Sequence, residues 1–322
     1  MFPPATTPVK DSYKIKNWKA YNKALVQRGS VTLWIEDSLL RTWREIDPGK
    51  KVVGECLYPD CVIQCCLLVG KIYHQPLRQT TGFFKSILVM MGHPTYAVPD
   101  YSTLCRRQAC VEVEVSRALT SNKKIDIAID STGLKVYGEG EWKVRKHGTT
   151  KRRTWRKLHI GIDVHTQEIV SVELTTNAED DALVAGRMLK GTIDKIKSFR
   201  GDGAYDDFAF REILGSEVKQ IIPPPKDAVV QKATKKKPLK AYLQQRDEAV
   251  KFIASHERKE WKIKEGYHKR SLNEVVMFRY KSTFTGGMSA RKMENQKTEV
   301  KLKCKILNIH RRQGMPFAYK VA

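Results

Sequence analysis

At Lys123 the apolar pattern of the chain switches abruptly from helical spacing to strict alternation. KIDIAID sets Ile125, Ile127 and Ile129 on one side of an extended segment and Asp126, Ala128 and Asp130 on the other. LHIGIDV repeats the pattern with Leu158, Ile160, Ile162 and Val164, and a turn at HTQE leads into a third segment, IVSVELT. Three alternating runs this close together predict a β-meander. The first strand is expected to end at Asp130, with Ser131, Thr132 and Gly133 opening the turn.

Beyond the meander, Asn177 or Asp180 is placed to cap a helix burying Leu183, Gly186, Leu189, Ile193 and Ile196. A fourth strand is expected to finish at SFRGDG, a short helix to cover 208–214, and VKQII to form a fifth strand stopped by prolines. Strand, strand, strand, helix, strand, helix, strand is the order of the RNase H-like fold, an α/β class with a mixed sheet. In that fold strands one and four are neighbours. Ahead of the sheet, residues 1–120 read as helical: a segment around Trp34–Trp43, helices over 59–73 and 79–91, and a short one capped by Asp100 or Ser102. The last carries Arg106 and Arg107. Short helices with paired arginines suit a helix-turn-helix DNA reader, and equally an ordinary helical domain with a solvated basic face. The expected division is a helical DNA-binding domain over 1–120, a catalytic domain over 121–285 with a basic loop at 226–246, and a C-terminal helix and tail over 286–322.

Composition narrows the partner. The 322 residues are 41% hydrophobic and 29% charged, as in a globular protein, yet carry a formal net charge of +24. Self-repulsion on that scale points to a polyanion, and nucleic acid is favoured over membrane because no apolar run is long enough to span a bilayer. MFPPATTPVK lacks an apolar signal core, so a cytoplasmic, nucleoid-associated location is expected. Seven cysteines include no CxxC pair, which argues against a zinc module and a secreted disulfide scaffold.

Cleavage of a phosphodiester with metal ions requires acidic groups converging from separate elements, with two ions about 3.5–4 Å apart. Asp130 and Asp202 are expected at the ends of neighbouring strands, Asp202 between Gly201 and Gly203, which would admit close approach of substrate. Two facing carboxylates repel without a cation, which favours a metal site over a structural one. The third acid stands in GYHKRSLNEVVMFRYK. There Tyr267, Arg270, Glu274 and Lys281 fall within a stripe roughly 60° wide on a single helix. An acid flanked by an aromatic ring and two cations suits a metal ligand between phosphate contacts, although Arg270 and Glu274 also make a common surface pair at i,i+4. Asp126, Asp163, Asp206 and Asp207 are weaker candidates, His159 and His165 are expected in sheet and turn, and Trp142 and Trp155 would stack on unpaired bases or pack on the hairpin.

The run Tyr267, Arg270, Glu274, Lys281 matches Y-(2)-R-(3)-E-(6)-K without a mismatch and resembles the signature of bacterial insertion-sequence DDE transposases. IDSTGLKVYG, WRKLHIGIDVHTQEIVSVELT and GDGAYDD are similar to the first-Asp, hairpin and second-Asp regions of that family. The similarity runs from about Val98 to the GMP near the C-terminus. It implies an RNase H-like core and a catalytic, metal-binding triad of Asp130, Asp202 and Glu274 holding two Mg²⁺ or Mn²⁺ ions. It further implies DNA contacts by Tyr267, Arg270 and Lys281, action on terminal inverted repeats and target DNA, and a homo-oligomer on DNA. The alternatives are a nuclease of the same fold without strand transfer, and an inactive sequence-specific DNA-binding protein.

Overall fold

Six strands make the central sheet of the computed structural model, which describes residues 12–47, 57–136, 155–232 and 239–321. They are β2 (Ile125–Val136), β3 (Trp155–Asp163), β4 (Ile169–Thr176), β5 (Ile196–Arg200), β6 (Lys219–Ile221) and β7 (Gly287–Met288), preceded in the chain by β1 (Ser12–Ile15). The order across the sheet is β4-β3-β2-β5-β6, with β7 beside the far end of β2. β2, β3 and β4 pair antiparallel, whereas β5 runs parallel to β2 and β6 parallel to β5. The expected RNase H-like core is therefore present, with strands one and four of that core side by side. Its first strand is longer than alternation suggested. Polar Ser131 and Thr132 hid a strand that continues to Val136, because Gly133, Leu134 and Lys135 keep pairing with β3. Asp130 consequently lies in the middle of a strand, opposite Ile160, and not at its end.

The helices described are α1 (Trp18–Arg28), α2 (Asp37–Arg44), α3 (Asp60–Ile72), α4 (Leu77–Met90), α5 (Tyr101–Arg107), α6 (Asp181–Leu189), α7 (Phe208–Leu214), α8 (Gln244–Ser255), α9 (Arg258–Lys264), α10 (Ser271–Phe284) and α11 (Met293–Gln313). Side chains alternate across β2 and so feed two cores. Ile125, Ile127 and Ile129 pack with α6 and α7 through Ala185, Leu189, Phe210 and Leu214. Ala128 and Leu134, with Leu158 and Ile160 of β3, join a larger core that also takes Trp43, Ile63, Phe84 and Leu104 from the N-terminal helices. Val276 and Tyr280 of α10 and Val300, Leu302, Cys304 and Ile306 of α11 complete it.

Several expectations need correcting. Leu183 faces solvent, and α6 buries Ala182, Val184 and Ala185 instead, because the helix stops at Leu189 and leaves Ile193 in a 3-10 turn and Ile196 in β5. The end of the expected basic loop at 226–246 is already helical, since α8 begins at Gln244. The expected C-terminal helix is α11, and it is built into the core. It buries Asn295, Gln296, Glu299, Lys303 and Asn308 as well as its apolar side chains. These polar groups are satisfied: Asn308 bonds the backbone of Ile169 and Val115, and Glu299 pairs with Lys303 at 2.7 Å and Lys71 at 3.4 Å. β1 pairs antiparallel with β8 (Ala318–Val321), so segments some 300 residues apart close against each other, a pairing no local pattern signals. Trp142, the KKK of the basic loop, Cys56 and the first eleven residues lie outside the described residues.

Candidate active site

Glu274 stands exposed on α10, which packs on the larger core's side of the sheet, and a buried amide sets that helix in place. Asn273 is fully buried and donates to the backbone oxygens of Ala128 at 3.0 Å and Ile160 at 2.8 Å, one on β2 and one on β3. Lys281, two turns further along, donates to Thr132 Oγ1 at 2.6 Å. The Tyr267–Lys281 stripe thus lies along β2, although its first members form a 3-10 turn (Tyr267–Arg270) before α10 starts at Ser271. That turn packs against both β2 and β5, next to Asp130 and close to the segment that carries Asp202.

Arg270 ties the acids together. Its Nη1 donates to Asp130 Oδ2 at 2.6 Å, and its Nη2 bonds Glu274 Oε1. Asp130 also accepts from the Ser131 amide at 2.8 Å. Burial pushes the Asp130 carboxyl above its ordinary range, the Ser131 bond and Arg270 pull it back, and the charges of Asp202 and Glu274 raise it again. The charges of both other acids therefore reach Asp130. Asp202 follows β5 and accepts from the Ala204 amide at 2.9 Å as the cap of a 3-10 turn (Gly203–Tyr205). Gly201 answers to internal packing: a Cβ there would meet the Tyr205 ring at 2.6 Å and Phe199 at 2.9 Å. Gly203 has open space around it, with nothing nearer than the Pro223 oxygen at 3.8 Å.

As they stand, no three His, Cys, Asp or Glu side chains among the described residues are close enough to hold a metal ion. The donor chemistry nonetheless suits a hard divalent cation, since Asp130 and Glu274 offer carboxylate oxygens and the positive charge already between them is a guanidinium.

The remaining candidates have other work. Asp126 is occupied by Ser198 Oγ, His165 Nε2 at 2.6 Å and Arg200 at 3.6 Å; burial raises its carboxyl, and these partners outweigh that and hold it low. Asp163 caps the β3–β4 turn through the His165 amide at 3.1 Å and Thr166 Oγ1 at 2.8 Å. Asp206 pairs with buried Arg211 at 2.6 Å, while Asp207 caps α7 at the Phe210 amide. His159 is buried beside Thr175 and Asp181, and burial lowers it to about 4. The Trp155 ring covers Gly133, where a Cβ would meet it at 3.2 Å. Arg107 is drawn into the protein by the Tyr58 oxygen at 2.8 Å and by Asp60; Arg106 remains exposed. Asn273 and Tyr205 were not anticipated. Tyr205 is buried with its hydroxyl unpartnered, and burial together with the charges of Asp181, Asp130 and Asp202 raises it strongly. An Asn beside the expected ligand was the only available cue to the first; the second had none beyond its place in GDGAYDD.

Two family models, each described as a transposase DDE domain, match this chain over residues 26–139 and 121–309. Among solved structures, the piggyBac transposase synaptic complex with hairpin DNA is similar at 9% identity, over 90% of this chain and 81% of that one, with a TM-score of 0.27. The Mos1 transposase paired-end complex with left transposon end is similar at 12% identity, over 91% and 92% of the two chains, with a TM-score of 0.21.

Proposed function

The chain belongs to the DDE transposase domain family of the RNase H-like superfamily, and on that premise we propose that it is the transposase of a bacterial insertion sequence. It binds the element's terminal inverted repeats, cleaves at the element's ends and joins the freed 3′-hydroxyl to target DNA. The observation that carries this reading is the Arg270 bridge between Asp130 and Glu274, with the charge of Asp202 acting on the same carboxyl. These three acids are the residues that would hold the divalent ions, two of Mg²⁺ or Mn²⁺. When bound, such a pair supplies activation of the attacking oxygen and neutralisation of the leaving one.

The protein's own part is positioning. Asn273 fixes α10 against β2 and β3, so that Glu274 stays over Asp130. Arg270 leaves its two carboxylates on engaging DNA and places its positive charge on a strand phosphate, which frees both acids. Tyr267 and Lys281 contact the same strand from either side of Glu274. Residues 1–120, with Arg106 on their surface, serve end recognition, 121–285 the chemistry and 286–322 the C-terminal closure. The active species is a homo-oligomer on paired ends. Among the described residues no helix is long and apolar enough to cross a membrane.

The test uses duplexes copied from the DNA flanking the reading frame, with Mg²⁺. Glu274→Gln is expected to keep end binding while cleavage falls more than ~100-fold, since even residues that merely support a metal ligand cost 10–100-fold. Wild-type cleavage by that variant would refute the proposal. Cleavage without joining by the unaltered chain would identify a nuclease instead.

A further inference from the structure

A cavity of about 140 Å³ lies where α1, α10, α11, the β3–β4 turn and the C-terminal segment meet. That volume resembles a void able to take a benzene-sized ligand. Its wall carries Arg28, Arg279 and Arg311 with His310, and none of the described residues lining it is acidic. Arg311 is neutralised from outside by Glu168 at 2.8 Å. Neither of the other two arginines has a carboxylate partner among the described residues. Arg28 donates to the Gly314 oxygen at 2.7 Å, and Arg279 to the Gln167 amide oxygen at 2.9 Å. Three nitrogens of these residues, Nε of Arg28, Nε of Arg311 and Nε2 of His310, are buried with no hydrogen-bond partner. Buried polar groups are normally satisfied, so the two arginine Nε–H groups, which can only donate, call for a ligand that accepts hydrogen bonds; His310, lowered to about 4 by burial and the charge of Arg28, can donate or accept through Nε2. Burial lowers Arg279; Tyr21 of the cavity wall raises it in part, and the nearby charge of Arg28 lowers it again.

We propose that this cavity is a binding site for a phosphate group carried on an organic ester. Arginine forks match the oxygens of phosphate, and Ile169, Val276, Leu307, Met315 and Pro316 supply an apolar side for the ester carbon. The site is separate from Glu274, the one acid of α10. Arg279 follows Glu274 by five residues, which places it roughly 140° around the helix. The proposal does not depend on the transposase reading. The ester is either a DNA backbone phosphate or a small phosphorylated molecule.

The test is a titration of the full chain with inorganic phosphate at constant ionic strength, followed by the ring-nitrogen resonances of His310. A saturable shift is expected, and Arg279→Gln weakens the affinity roughly tenfold or more, while Arg279→Lys retains part of it. Should Arg279→Gln fail to fold, Thr283→Glu, which adds a carboxylate at the cavity wall, is expected to abolish the shift. Unmoved His310 resonances, or unchanged affinity in whichever variant folds, overturn the site. Duplex DNA then separates the sources. If Arg279→Gln lowers the slope of log affinity against log salt by about one, the ester is backbone phosphate. If the slope holds while phosphate still binds the unaltered chain, the ester is a small molecule.

Discussion

Arg270 holds two of the proposed metal ligands at once, and its behaviour on substitution follows from that. With the guanidinium in place, a cation approaching Asp130 meets a positive charge already bonded there. Arg270→Ala should therefore raise Mn²⁺ affinity of the DNA-free chain roughly tenfold, the worth of one charge-assisted bond, while lowering end cleavage. Electron paramagnetic resonance of free Mn²⁺ measures the first, and unaltered affinity would mean that the bridge does not compete with metal. Glu299 makes a second case, in which the group titrates. Burial pushes its carboxyl up, but Lys71, Lys303 and the Ser289 amide outweigh that and hold it at about 2, below its ordinary 4.5. A depressed acid contributes stability that is complete above the unfolded value and disappears as pH falls toward the folded one. Acid unfolding followed by circular dichroism should thus show stability lost between about pH 4.5 and 2, in a step absent from Glu299→Gln. That variant should also lose about 3–5 kcal/mol at neutral pH, because two buried ammonium groups lose their counter-charge.

At the scale of elements, α10 decides the geometry of the candidate site. Asn273→Ala removes the two bonds by which this buried amide ties the helix to β2 and β3. The expected loss is about 1–3 kcal/mol in urea unfolding, with cleavage reduced well beyond what stability explains. A variant with normal cleavage would show that Glu274 is positioned by other contacts. The same elements show what can be read from a sequence. β3, β4 and the run of α6, β5, α7 and β6 follow from period and turn residues, because each is patterned within its own length. The extension of β2 past Asp130 escaped, since Ser131, Thr132 and Gly133 resemble a turn and are held extended by pairing with β3. α8 and α9 were missed inside a charge-rich stretch whose buried apolar anchors are Ala249 and Trp261, with Phe252 and Ile253 half-buried beside them. At the site, spacing within Tyr267–Lys281 was legible because it is local. The Arg270–Glu274 arm of the bridge is the i,i+4 pair that spacing offered, but its Asp130 arm and the three-arginine cavity were hidden, as both join residues more than a hundred positions apart.

For the whole molecule, the +24 charge makes a claim of its own. Binding to end duplexes should weaken steeply with salt, by roughly 10³-fold or more between 50 and 200 mM if six or more phosphates are neutralised. A flat response in a fluorescence anisotropy titration would exclude extensive backbone contact. The proposed function sets the fold as a whole one further task, which is to bring a mid-strand acid, an acid after β5 and an acid on α10 to a common point on DNA. Mn²⁺ bound by the chain on end DNA, counted by electron paramagnetic resonance, tests that most directly. Two ions per chain are predicted for the unaltered protein, with Asp130→Asn, Asp202→Asn and Glu274→Gln each losing at least one while still binding DNA. Undiminished Mn²⁺ in any of the three would contradict a shared metal site.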